Sequence, residues 1–337
     1  MNIAAYTGGK HNPSSRFRVG QYISLLRDFG CKVSHFDAPF GAFPPPERWK
    51  RPWWGLASLT SRVPQIALSY RHDLVWMQRE MLSTFYTLER FTQKPRVFDV
   101  DDAIWVHRRG QFAGRLANQC DSIICGNQFL AEYFSRWNPH VTIIPTGVDV
   151  DRFVPANAPE KGNRLILGWS GTSSNFVHLE LIQDALDIVL RRNPHVIFRI
   201  VADRCPALHK LPPEQVEIIR WSPQNEVETI QAMDVGLMPL GDSDITRGKC
   251  SYKMLLYMAC GLPVVVSPVG MNKEVLGLGA VGFGPNSIAS WRESLECLIQ
   301  QSALRSAMGV QGRSVAVSHF GLAKVASELA FHFRQFS

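Results

Sequence analysis

Residues Asp234–Glu274 read DVGLMPLGDSDITRGKCSYKMLLYMACGLPVVVSPVGMNKE, and this stretch decides the fold. Its apolar run Val235–Leu240 reads as a buried strand. A polar loop carrying Arg247 and Lys249 follows, then a helix over Ser251–Cys260, then a second apolar strand, Leu262–Ser267, closed by a glycine-containing turn. The unit is β-loop-α-β. In parallel units of this kind, the loop at the carboxyl end of the first strand meets a helix N-terminus, where unpaired N–H groups and the helix dipole attract anions. Arg247, Lys249 and Lys253 stand there. A phosphate or diphosphate is the simplest ligand, and a solvated basic loop on an ordinary α/β domain is the alternative.

The same alternation surrounds this unit. A strand over Arg164–Trp169 leads into the loop SGTSSN (Ser170–Asn175) and a helix over His178–Arg192. Gly171, with the hydroxyls of Thr172 and Ser173, suits close backbone approach to a phosphate, or a well-capped helix. Strands Val196–Val201 and Val216–Ile219 run into Asp203 and Trp221, and the strand of the opening stretch runs into Ser267. Strand ends at one edge of a parallel sheet converge on a single crevice, so these loops can line one site. A strand over Ala280–Phe283 and helices near Ser287–Ile299, Ala303–Val315 and Gly321–Phe336 complete the chain.

The first half opens the same way. Strand Ile3–Tyr6 meets the glycines Gly8 and Gly9, then a polar loop with Lys10, Arg16 and Arg18, a helix over Arg18–Phe29 and a strand over Lys32–Phe36. No G-x-G-x-x-G pattern occurs, so a dinucleotide fingerprint is not supported. Further strands are expected at Asp73–Met77, Arg96–Val100, Ser122–Cys125 and Val141–Ile144, and Pro155–Asn163 reads as a linker. At the end of Arg96–Val100 lie Asp99, Asp101 and Asp102. Three carboxylates at a strand end can hold a divalent cation, work in proton or leaving-group chemistry, or cap helix-start amides. His107, with Arg108 and Arg109, either shares their cleft or lies on the surface.

Between Pro39 and Pro64 the periodicity fails, and the prolines argue against a regular element. Here Trp49, Trp53 and Trp54 stand among Arg48, Lys50 and Arg51. That mixture suits an interfacial membrane contact, or a lid whose tryptophans fold back on their own domain.

Composition bounds the rest. At 337 residues the chain exceeds what one core usually holds, so two domains are expected. Seven cysteines without metal-ligand spacing fit a reducing cytosol. Neither a secretory leader nor a long uninterrupted apolar run is visible, so a cytoplasmic chain is expected. The net charge of +7 is concentrated in residues 1–157, where 19 Lys+Arg against 13 Asp+Glu leave +6. That half carries the attraction for anionic partners. No nucleic-acid motif accompanies the charge, so nucleic acid is not an expected partner.

PTGVDVDRF before the linker, GWSGTSSN after it, DVGLMPL, and RGKCSYKMLLYMACGLPVVVSPVG together resemble the retaining glycosyltransferases of family 4. The resemblance implies the GT-B fold, α/β with two facing Rossmann-like domains, a cleft between them, and a C-terminal helix returning to the first. The implied domains are 1–157 for the acceptor, 158–318 for the nucleotide sugar, and the helix 319–337. The implied activity moves a hexose-type sugar from a nucleotide diphosphate sugar to a glycan, lipid-linked or cell-surface acceptor. No metal cofactor is implied. The expected location is cytoplasmic, with peripheral contact at the inner membrane face. On this resemblance Asp101, Asp102, Arg247 and Lys249 are catalytic candidates. Gly8, Gly9, Gly171, Thr172, Ser173, Asp203, Trp221, Lys253 and Ser267 are candidates for holding the donor. Many family members carry two glutamates eight positions apart, where this chain has Gly248 and Leu256. The departure implies either relocation of the donor contacts to RGKCSYK or a binding protein that has lost turnover.

Overall fold

The computed structural model describes residues 1–9, 12–41, 43–156 and 164–336, without the side chains of 107–109. Lys10, most of the linker and the side chains of His107, Arg108 and Arg109 therefore lie outside the described residues.

The chain divides into two compact units. The first comprises 1–147, 247–250 and 322–337; the second comprises 148–246 and 251–321. In the first unit the strands are β1 (Asn2–Thr7), β2 (Lys32–Asp37), β3 (Leu74–Gln78), β4 (Arg96–Val100), β5 (Ser122–Cys125) and β6 (Val141–Ile143). They form one sheet in the order β2-β1-β3-β4-β5-β6, with parallel pairing throughout. The second unit contributes β7 (Leu165–Ser170), β8 (Val196–Ala202), β9 (Val216–Arg220), β10 (Val235–Met238), β11 (Val264–Val266) and β12 (Gly282–Phe283). Their order is β12-β11-β10-β7-β8-β9, again parallel. β3, β4, β5, β7 and β10 are buried along their whole length. Burial on both faces is what helices on either side of a parallel sheet produce, and it explains why these segments read as continuous apolar runs.

Each unit has its own core. In the first, Ile3, Leu74, Trp76 and Val97 of the sheet meet Tyr22 and Leu26. The final helix, Leu322–Arg334, closes this core with Val325, Leu329 and Phe333, whose ring lies 5.0 Å from that of Trp76. On the same helix, His332 Nε2 lies 2.9 Å from the buried Ser122 hydroxyl. In the second unit Leu167, Trp169, Phe198 and Leu237 meet helices Gln183–Arg192 and Ile288–Gln300. There the Arg313 guanidinium ties three carbonyls together, donating to Phe153, Ala259 and Val150 at 2.7, 2.7 and 2.8 Å.

Several elements differ from the sequence reading. The proline-rich stretch holds a 19-residue helix, Arg51–Ser69. Pro52 lies in its first turn, where the missing N–H would have no partner in any case, and the helix continues through Pro64. The loop after β1 enters a helix at once, Pro13–Arg18, capped by Asn12, whose side chain accepts from Ser14 N–H at 3.1 Å. The loop after β10 contains a short helix, Asp244–Arg247. The helix expected over His178–Arg192 is two, Phe176–Glu180 and Gln183–Arg192.

Candidate functional site

In a parallel α/β sheet, ligands bind beyond the carboxyl ends of the strands, where the winding direction reverses. In the first sheet that reversal falls between β1 and β3, and in the second between β7 and β10.

In the first unit, Gly8 follows β1 and Arg79-Glu80 follows β3. Gly8, Asn12, Phe43, Gln78, Arg79 and Glu80 line one shallow pocket there. Gly9 takes φ +109°, and a Cβ on it would press on the Ala38 carbonyl at 3.0 Å, so glycine is required. Arg79 also sits in the left-handed region, at φ +65°, an uncommon conformation for a side-chain-bearing residue and one that concentrates at functional sites. Its guanidinium stands 3.6 Å from Glu80 and 3.8 Å from Asp102. Gln78 donates to Asp101 Oδ1 at 3.3 Å. Gln78 Oε1 is buried without a hydrogen-bond partner, as are Ser15 Oγ and Arg18 Nη2 of the helix Pro13–Arg18, and Glu80 Oε2 meets the Arg79 guanidinium only at 3.6 Å. Buried polar atoms of this kind are rare in folded proteins and suit a hydrogen-bonding ligand.

The three aspartates separate by role. Asp99 is fully buried, pairs with Arg18 Nε at 2.8 Å and accepts from Trp76 Nε1 at 3.1 Å. It fastens the strand to the helix. Asp101 and Asp102 lie beyond the strand end. Burial and the neighbouring Asp101 push Asp102 up to about 6, while Arg79 and Lys249 hold it from rising further.

The segment Arg247–Cys250 belongs to this first unit. The Asn127 side-chain amide donates to the carbonyls of Arg247 and Lys249, both at 3.1 Å, while its oxygen caps the following helix at Leu130 N–H. Cys250 Sγ lies 3.3 Å from the Asp101 carbonyl. Gly248 packs so closely that a Cβ would sit 2.7 Å from the Ala103 backbone nitrogen. A glutamate there would have to displace main chain, and Leu256 is buried.

The second unit carries the other candidates. Gly171 follows β7, and a Cβ on it would meet Lys253 Nζ and the Trp169 ring. The Lys253 ammonium lies 4.3 Å above the Trp169 ring, a cation–π contact that fixes the charge over the strand end. The Tyr257 hydroxyl accepts from Ser170 N–H at 2.7 Å, pinning the same turn. Asp203 accepts from Ser173 N–H at 2.6 Å and from its hydroxyl at 2.9 Å, and the backbone bond holds the carboxyl below its ordinary range. These bonds organise the loop of Gly171, Thr172 and Ser173, with Asp203 as its buttress. Ser267 Oγ accepts from Leu240 N–H at 2.9 Å, linking the ends of β10 and β11. Trp221 turns to Glu226, its Nε1 3.3 Å from the carboxylate, and Arg152 pairs with that same carboxylate at 3.1 Å.

The structure thus assembles Gly171, Thr172, Ser173, Asp203 and Lys253 in the second unit, and Asp101, Asp102 and Lys249 in the first. Sequence reading passed over Arg79, Glu80, Asn127, Trp169 and Tyr257 as site residues. Arg79-Glu80 had a usable signal, a charged pair directly after an apolar run. Asn127 had none beyond a helix cap, because its clamp on residues 247 and 249 spans 120 and 122 positions. Among the described residues no three His, Cys, Asp or Glu side chains cluster as metal ligands, and no helix is long and apolar enough to cross a membrane.

A family model described as glycosyl transferases group 1 matches residues 164–301. No curated protein matches the sequence. Among solved structures, the chain is similar to sucrose-phosphate synthase from Thermosynechococcus elongatus, at 14% identity and a TM-score of 0.74, covering 99% of this chain and 98% of that one. It is similar to Anabaena HepE in complex with UDP and glucose, at 16% identity and a TM-score of 0.74 over 100% of both chains. WaaG, a glycosyltransferase involved in lipopolysaccharide biosynthesis, aligns at 15% identity and a TM-score of 0.70, over 97% of this chain and 98% of that one.

Proposed function

We propose, for a chain whose residues 164–301 match the group 1 glycosyl transferases and whose two Rossmann-like units give it the GT-B fold, that it is a retaining glycosyltransferase using a nucleotide diphosphate sugar. One observation carries the reading: Gly171 opens the end of β7 beneath a lysine ammonium fixed over Trp169. A bare backbone turn and a fixed cation at a switch point suit a diphosphate.

Transfer breaks the bond between the anomeric carbon and the diphosphate oxygen, and joins that carbon to an acceptor oxygen whose proton must leave. Charge accumulates on the departing diphosphate, and preorganised cations stabilise it most where water is excluded. Lys253 is assigned to that charge, with Arg247 and Lys249 as further cations. The Gly171–Ser173 turn, whose Gly171 and Ser173 N–H groups are held by the Val201 carbonyl and Asp203, offers close approach of its backbone. Trp221 and Ser267 belong to the donor-binding unit, and Gly8 and Gly9 are assigned as backbone contacts in the first. Asp101 and Asp102 are the groups assigned to the sugar or to the acceptor proton. With three cations available, we assign no metal, and undiminished turnover in EDTA is the expected result. The proposed acceptor is a glycan or lipid-linked glycoconjugate, the sugar a hexose and the location cytoplasmic.

Calorimetric titration with UDP and a panel of nucleotide diphosphate sugars, followed by a donor-hydrolysis assay, tests this. Lys253→Ala should weaken binding about tenfold or more, the loss of one charge-assisted contact. Failure to bind any nucleotide diphosphate would sink the proposal. Unchanged binding in Arg247→Ala and Lys249→Ala would remove those two from the donor site. The packing of Gly248 and the burial of Leu256 favour a second reading, a binding or scaffold protein of the same fold. Binding without hydrolysis or transfer would select it.

A further inference from the structure

The helix Arg51–Ser69 turns large apolar side chains to water. Its inward face holds Ser58, Arg62, Ile66 and Ser69, three of them polar, and Arg62 is only 2% exposed. Arg62 donates to the carbonyls of Thr7 and Phe36 at 2.7 and 3.0 Å, and Tyr6 donates its hydroxyl proton to the Gln65 carbonyl at 2.7 Å. The helix is therefore fastened to the ends of β1 and β2 by polar bonds. Its outward face carries Trp53, Leu56 and Val63 at spacings of three and seven, exposed by 71%, 56% and 57%. Trp49, also 71% exposed, extends the stripe, and Phe40 and Phe43 are more than half exposed. Trp54 holds that preceding segment in place, donating from Nε1 to the Phe40 carbonyl at 3.0 Å.

An apolar stripe turned to water, on a helix whose buried face is mostly polar and fastened by hydrogen bonds, is unfavourable for the isolated chain and marks an interaction surface. The charges around it choose the partner. Arg48, Lys50 and Arg51 cluster at its start and Arg71 follows its end; the helix itself contains no carboxylate, and Glu47 is paired with Lys50 at 3.1 Å. A second copy docked face to face would bring these cations together, and like charges across an interface repel. Exposed indoles among lysine and arginine match the headgroup region of a bilayer, and the cations match anionic lipid.

We infer that this outward face docks the protein on an anionic lipid surface, with Trp49, Trp53 and Leu56 entering the headgroup region. Phe43 lines the same pocket as Gly8, Arg79 and Glu80. Docking through this segment sets that pocket at the membrane surface, where an acceptor carried on a lipid would be presented. The inference does not rest on the transferase reading, and its test reads binding rather than turnover.

The full chain is sedimented with vesicles of phosphatidylcholine alone and with vesicles containing phosphatidylglycerol, across a salt series. The expected result is selective binding to the anionic vesicles that falls as salt rises. Replacing Arg48, Lys50 and Arg51 together by Gln should weaken it on the order of 100-fold, at about fivefold per cation. Trp53→Ser with Leu56→Gln should abolish it while leaving the circular-dichroism melt unchanged, since both side chains are exposed. Should that variant fail to fold, quenching of the wild-type tryptophans by brominated anionic lipid decides. Three results overturn the inference: a wild-type chain that stays in the supernatant, binding indifferent to the cations, or a wild-type dimer that Leu56→Gln dissociates.

Discussion

Gly171→Ala tests the geometry on which the donor site depends. A Cβ at this position would fall 2.7 and 2.8 Å from two ring carbons of Trp169, and against the Lys253 ammonium. The lysine tip can swing away; the indole cannot, because Trp169 is 1% exposed and packed in the core of the second unit. Forcing extra volume into a packed site costs about 1–3 kcal/mol. Moving the ammonium off the ring adds roughly 0.5–2 kcal/mol for the lost cation–π contact. The variant should therefore unfold in urea with stability lowered by about 2–4 kcal/mol and an unchanged slope, the sum of these two ranges taken near its centre. Because the displaced cation is the one assigned to the diphosphate, UDP affinity should fall about tenfold, equivalent to about 1.4 kcal/mol. Gly241→Ala is the matched control. Its Cβ would make an ordinary contact with Leu181 at 3.7 Å, and a change within about 0.5 kcal/mol is expected. If Gly171→Ala matches the wild type in both urea stability and UDP affinity, the close approach of Lys253 and Trp169 to the turn is refuted.

Three further outcomes follow from the first unit. Arg18→Met strands Asp99 in a fully buried site and should cost about 3–5 kcal/mol in urea unfolding; the double variant Arg18→Met, Asp99→Leu should recover much of that loss. His332 is held down to about 4 by burial, against an ordinary value of 6.5. Between those values the unfolded chain binds the extra proton, so stability should fall by roughly 3 kcal/mol as pH drops from about 6.5 towards 4, and His332→Gln should flatten the slope. With Asp102 raised to about 6, a transfer rate that needs the carboxylate should rise with pH through about 6. Asp102→Asn should remove that limb, and Lys249→Met should move it higher, since Lys249 favours the ionised form; a limb unmoved by either variant counts against the assignment.

Alternation of apolar runs with helical segments was enough to establish two α/β units, because strands buried on both faces leave continuous runs in the sequence. The loops at the carboxyl ends, Gly8-Gly9, Asp101-Asp102, Ser170–Asn175 and the basic stretch at 247–253, were legible for the same reason. What periodicity could not reach was decided by long-range contact. A helix was expected only just before Tyr70, because Pro52 and Pro64 argued against a regular element upstream; the helix Arg51–Ser69 accommodates both prolines, and Arg62 and Tyr6 tie it down through hydrogen bonds to carbonyls distant in sequence. Asp99, Asp101 and Asp102 look alike in sequence; Arg18, 81 positions away, makes the first a structural pair. Residues 247–250 join the first unit because Asn127 binds their carbonyls. Composition and pattern report the local preferences of a chain. Which charges are paired, which carbonyls are clamped and which faces meet water depend on partners brought together only when the chain folds.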